Sequence, residues 1–171
     1  FIRPQATTLT LLLRAPMQSL RDVDVPLREG GFLDLARADQ ALRDAATLWI
    51  VDFLELYENG ARLPRPRIAG VRVSLPSDRS FETFDAALGN FSAPRLAPET
   101  QIYWEQGMMD VAFEFPIQSD RSDFSIKPGL TRLGLQVNVL LRFLQPGSAE
   151  RAFDVHADVG VVHLDPSWVQ A

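Results

Sequence analysis

The chain has 171 residues, a formal net charge of −5, 46% hydrophobic and 23% charged residues, a balance ordinary for one soluble globular domain. The acidic excess argues against a nucleic-acid surface, which needs clustered positive charge. The longest apolar runs, LTLLL at 9–13 and LWIV at 48–51, fall far short of the roughly 18–20 residues that cross a bilayer. The absence of cysteine excludes disulfides, thiolate catalysis and cysteine-ligated metal centres.

Along the chain, TTLTLLLR at 7–14 places Leu9, Leu11 and Leu13 at period two, a strand pattern. Segment 17–32 contains DVDVP and ends at Gly30-Gly31, which reads as a short strand and a turn. From Leu35 the period changes: Ala38, Leu42, Ala45 and Trp49 recur at helical spacing, with Arg37, Asp39, Arg43 and Asp44 on the other side. The spacing predicts an amphipathic helix over 36–50 with Asp34 as its cap. In FLELYENGARLP at 53–64, Leu54 and Leu56 alternate into Asn59-Gly60, a pair suited to the positive φ angles of a type I′ hairpin turn.

RIAGVRVSL at 67–75 is a further strand, with Val71, Val73 and Leu75 on one face. PSDRSFETFDAALGNF at 76–91 predicts a short helix over about 81–88, for which Ser77, Asp78 and Ser80 are available as caps. After a proline-bearing connection at 92–100, strands are expected at 101–105, 108–116, 134–144, 151–156 and 160–164. Within 108–116, Met109, Val111, Phe113 and Phe115 alternate with Asp110, Ala112 and Glu114. Within 134–144, Leu135, Val137, Val139, Leu141 and Phe143 form the inward set. The fold class that follows is mainly β with some α+β content: an antiparallel β-sandwich whose 36–50 helix covers an open end or edge. One domain, 1–171, accommodates all of it.

The chain contains no nucleophile elbow, phosphate-binding loop, dinucleotide fingerprint, zinc-protease motif or EF-hand loop. Its two histidines, His156 and His163, limit acid–base and triad mechanisms, so no catalytic role is expected. One stretch, DVHADVGVVHLD at 154–165, does place chemistry-bearing groups together. On a strand Asp154, His156 and Asp158 share a face in steps of roughly 6.5–7 Å, and imidazole with carboxylate suits nickel or zinc. His163 and Asp165 stand one strand further on, after Gly160. The same residues fit solvated positions alternating with Val155, Ala157 and Val159. Tyr103 and Trp104 have two readings of the same kind, the lining of a sugar- or peptide-binding groove or helix–sheet packing, the second of which also suits Phe81, Phe84 and Phe91.

The C-terminal HLDPSWVQA carries a cap residue, Asp165, a proline suited to the first helical position, Pro166, and then an opening turn. With Phe1 rather than methionine at the other end, the expectation is a piece of a longer chain. RVSLPSDRSFETFDAAL (72–88), MMDVAFEFPIQSDRSDFSI (108–126) and HLDPSWVQA (163–171) together resemble the extracytoplasmic region of HupE/UreJ-type bacterial membrane proteins. The junction of that family resembles L-D-P-x-W-x-Q-A, matched by Leu164, Asp165, Pro166, Trp168, Gln170 and Ala171.

The resemblance implies a soluble domain on the periplasmic side of the inner membrane, tethered through membrane helices that follow Ala171. There Trp168 would suit the headgroup level. It further implies an association with nickel supply, the suspected metal-handling His/Asp motif lying in the membrane helices rather than in this chain. The expected function is therefore a non-catalytic accessory domain of a multi-spanning membrane protein, linked to uptake of nickel or another divalent metal. Its expected partners are those helices, a divalent metal or another protein, and no nucleic acid. The alternative is a free-standing secreted β-sandwich module that binds a carbohydrate or peptide.

Overall fold

The computed structural model describes residues 1–20, 24–130, 138–156 and 159–164. In chain order the strands and helices are β1 (Ile2–Gln5), β2 (Thr8–Pro16), β3 (Leu27–Arg28), β4 (Phe32–Leu33), α1 (Ala38–Ala46), β5 (Glu55–Glu58), β6 (Ala61–Arg62), β7 (Arg67–Ser74), α2 (Phe84–Asn90), β8 (Met108–Pro116), β9 (Phe124–Lys127), β10 (Asn138–Phe143), β11 (Arg151–His156) and β12 (Val162–His163). The protein is mainly β, with strands well ahead of helix. Its backbone divides into two compact units: Phe1–Leu11 with Trp49–Arg67 and Glu114–Ala171, and Leu12–Leu48 with Ile68–Phe113.

In the first unit β11, β10, β1 and the opening of β2 are hydrogen-bonded in that order, and a second sheet runs β12-β9-β5-β6. Phe124 of β9 and Phe143 of β10, each almost fully buried, bring their ring centroids to 6.1 Å. The core of this unit therefore lies between its two sheets, as in a sandwich. Ile2, Leu9, Leu56 and Ile126 are among the other residues buried in this unit. The expected antiparallel arrangement requires one correction. β1 pairs with β10 in parallel, Ile2 opposite Phe143, while β1–β2 and β10–β11 are antiparallel. Strands so distant in the chain are not joined by a hairpin, so no turn dictates their relative direction.

The predicted hairpin forms as β5 and β6, with Glu58 opposite Ala61 and positive φ at both Asn59 and Gly60. Those are the dihedrals a type I′ turn requires, and the short polar Asn tolerates them where most side chains would not. Of the inward set expected on 134–144, Leu141 and Phe143 are buried and Val139 is half-buried. Leu135 and Val137 lie outside the described residues.

In the second unit the remainder of β2 lies beside β8, and β8 beside β7. α1 occupies the middle of the predicted 36–50 helix, flanked by a 3₁₀ turn at Leu35–Arg37 and a wider π turn at Thr47–Val51. Asp34 makes no side-chain cap bond. The second helix is displaced toward the C-terminus relative to 81–88, because Thr83 is its cap: the Oγ1 of Thr83 accepts from the Ala86 amide at 3.2 Å. No strand forms at 101–105. Tyr103 makes a single bridge to Phe32, and Trp104–Gln106 folds into a 3₁₀ turn.

The largest departure from simple alternation is in β8. Met109, Val111 and Phe113 are buried as expected, and so are Asp110 and Ala112 on the opposite side of the strand. In β7, Arg72 and Ser74 are buried alongside Val71 and Val73. Both faces are covered along most of β8 and along Val71–Ser74 of β7, and polar side chains are enclosed there.

Candidate functional site

The enclosed polar groups form one cluster in the second unit. Asp110 has 0% exposure, and an isolated ionised carboxylate at that depth would be very costly. Arg14 of β2 resolves this by a two-point contact, Nε to Oδ1 at 2.7 Å and Nη2 to Oδ2 at 2.8 Å. The fork of a guanidinium matches a carboxylate edge in this way, whereas a lysine would offer only a point charge. The Ser74 hydroxyl of β7 adds a third donor to Oδ2 at 2.6 Å.

Arg14 is itself held from the far side. Its Nη1 donates to the Asp78 carbonyl at 2.9 Å, and its Nη2 to the Asp78 carboxylate at 3.0 Å. Its guanidinium carbon stands 4.4 Å from the Phe81 ring centroid, within cation–π range. Asp78 in turn accepts from the Ser80 amide at 2.8 Å and the Ser80 hydroxyl at 2.5 Å.

The electrostatics follow. Burial on its own would raise the Asp78 carboxyl, but the two Ser80 donors and Arg14 outweigh it and hold Asp78 below its ordinary value. Burial would likewise lower Arg14, and its bonds to Asp110 and Asp78 raise it instead. Ser80 and Asp78, available as helix caps from sequence alone, are engaged by Arg14, which leaves capping to Thr83. Both carboxylates of this cluster are engaged by the one guanidinium, so the arrangement fixes β2, β7, β8 and the 78–81 turn to one another.

The metal candidates lie in the first unit. Asp154 and His156 are exposed on the same face of β11, with Asn138 of β10 directly across from His156 and Leu140 across from Asp154. Asp158 lies outside the described residues, as do Asp165 and the residues after it. His163 is not brought to His156. It sits on β12 in the other sheet, its Nδ1 3.1 Å from the Ser125 hydroxyl. Among the described residues no three His, Asp or Glu side chains converge as a metal-holding group.

The aromatic candidates separate in a similar way. Tyr103 is 44% exposed and stacks on Phe32 with centroids 4.7 Å apart and planes inclined by 27°. Trp104 is half-buried and Phe84 buried, which is the packing alternative for those two.

Sequence reasoning missed the Arg14–Asp110 pair, because an arginine and an aspartate far apart on alternating strands look like two solvent-facing residues. It also passed over a local signal: the tetrapeptide Ser-Asp-Arg-Ser occurs twice, at 77–80 and 119–122. At each occurrence the aspartate organises a turn. Asp78 does so as described, and in the first unit Asp120 accepts from the Ala6 amide at 2.8 Å through its carboxylate and from Gln145 at 2.9 Å through its carbonyl. Comparison with protein-family models, with curated proteins and with solved structures finds nothing that matches this chain.

Proposed function

We propose that the chain is a non-catalytic accessory domain of a multi-spanning bacterial membrane protein, facing the periplasm and linked to uptake of nickel or another divalent metal. The observation that carries this reading joins the resemblance to the geometry. Two of the three stretches that resemble the HupE/UreJ extracytoplasmic region, 72–88 and 108–126, meet in one buried polar centre. Ser74, Asp78, Ser80 and Phe81 come from the first and Asp110 from the second, closed around Arg14.

Residues that carry the resemblance are thus the ones that tie the sheet of the second unit together. A carboxylate engaged at both oxygens by a fork and a hydroxyl serves as a framework bond rather than as a proton-transfer group. Asp154 and His156, exposed on one strand face, offer a first contact for a metal ion.

The full-length reading frame tests the first part. Membrane-spanning helices after Ala171 are expected, and a stop codon at that point sinks it. Calorimetric titration of nickel and zinc into the purified chain tests the second. Stoichiometric binding lost in His156→Ala supports metal capture by this domain, whereas no binding assigns any metal handling to the membrane region.

A second reading, a module that binds a carbohydrate or peptide, is favoured by the exposed Tyr103 stacked on Phe32, since an exposed aromatic face is the usual platform for a sugar ring or an apolar side chain. Oligosaccharide binding that disappears in Tyr103→Ala would support it.

A further inference from the structure

Three charged side chains among the described residues are buried: Glu58, Arg72 and Asp110. Asp110 is balanced by Arg14. Arg72 donates to the carbonyls of Asn90 and Pro94, the first of them at the C-terminal end of α2, where the helix dipole is negative. Glu58 is met by backbone groups alone, with neither a helix end nor an opposite charge beside it among the described residues. It lies on the inward side of β5 with 6% exposure, and its carboxylate accepts only backbone donors. The Gln118 amide is 3.0 Å from each oxygen, and the Ser119 amide 3.2 Å from one of them. Among the described residues no cation pairs with it.

Anchoring the 118–119 turn does not by itself require a formal charge. A neutral side-chain carbonyl accepts amide donors at a much smaller desolvation cost. Glu58 also forms part of the lining of a groove of about 440 Å³ in the first unit, whose apolar walls include Leu63, Pro64, Pro116 and Ile117. The cation on that groove, Arg62, is held at its edge by Glu55 at 3.1 Å, so the two cancel and the net charge presented is that of Glu58.

We propose that this groove binds an alkyl chain ending in an ammonium or guanidinium group, as on a lysine or arginine side chain or a free amine. The cation meets the Glu58 carboxylate, which retains a lone-pair position beyond its three amide bonds, and the methylenes lie along the apolar walls. This assignment stands apart from the metal and membrane reading.

The test is an amide chemical-shift titration of the purified chain with n-butylammonium, with the peptide acetyl-Gly-Lys-Gly-amide, and with n-butanol as the uncharged control. The Gln118 and Ser119 amides are expected to shift saturably with the amines and not with butanol. Glu58→Gln should weaken binding by about tenfold or more, the usual value of one charge-assisted hydrogen bond. Ala61→Trp, at an exposed position that lines the groove, should abolish binding while leaving Glu58 in place, and it carries the test alone if Glu58→Gln fails to fold. Tighter binding of the peptide identifies a protein side chain as the ligand, and equal affinities identify a free amine. No saturable shift with either amine, an equal response to butanol, or undiminished binding by Ala61→Trp overturns the proposal.

Discussion

Arg14 and Asp110 meet edge to edge, Nε to Oδ1 at 2.7 Å and Nη2 to Oδ2 at 2.8 Å, across 96 residues of sequence. With Asp110 fully buried, removing either partner strands a charge in the interior. Arg14→Met and Asp110→Leu should each cost about 3–5 kcal/mol, whereas the double variant should recover part of that loss, because no buried charge is then stranded and only the bonds to Ser74 and Asp78 are lost. Urea unfolding of these three variants and the native protein forms a double-mutant cycle. Additive losses would show that the pair is not the unit that matters.

Asp78 gives the same cluster a pH dependence. Its carboxyl is held below the ordinary value of 3.8, so the unfolded chain takes up its proton first on acidification. The stabilisation is fully present above the unfolded value and is lost as the pH falls through the lower, folded value. Thermal melts between pH 6 and 2 should therefore show a steeper decline for the native chain than for Asp78→Asn. Parallel declines would remove Asp78 as a contributor.

Gly129 has φ of +58°, and a Cβ at that position would collide with the carbonyl oxygen of Phe53. The clash is with backbone, which cannot rotate away. Gly129→Ala should destabilise by about 1–3 kcal/mol from the backbone conformation alone, with the collision adding to it. Gly147→Ala, also at positive φ but with open space around it, should cost less. Equal midpoints in chemical denaturation for the two variants would contradict this.

Phe143→Ala removes the ring that meets Phe124 between the sheets of the first unit. A loss of about 3–5 kcal/mol is expected for so large a cavity. Val139→Asp should be milder than a core position on the same strand, because Val139 is only half-buried. Denaturation midpoints rank the two, and the reverse order would mean the register of β10 is wrong.

Several elements were legible because the information was local. Asn59-Gly60 names its turn through the φ values those two residues tolerate, and the period-two pattern of 67–75 and 108–116 places β7 and β8 almost residue for residue. The 36–50 periodicity finds α1, although its flanks depart from regular α geometry. The cap of α2 is ambiguous in sequence because Ser77, Asp78, Ser80 and Thr83 all have oxygens able to cap a helix, and the engagement of Asp78 and Ser80 by Arg14 is a tertiary contact. Tyr103 gave no sign in sequence that its partner would be Phe32, 71 residues upstream by their numbering.

Sequence by itself determined β7, β8, the middle of α1 and the Asn59-Gly60 turn, since those depend on backbone dihedrals and on the period of apolar residues over a few positions. Tertiary structure alone decided that β1 would run parallel to β10, that Asp110 would lie inside rather than facing water, and that Glu58 would be enclosed beside a groove. Burial and charge compensation are properties of what packs against a residue from elsewhere in the chain, and alternation along one strand carries no record of that neighbour.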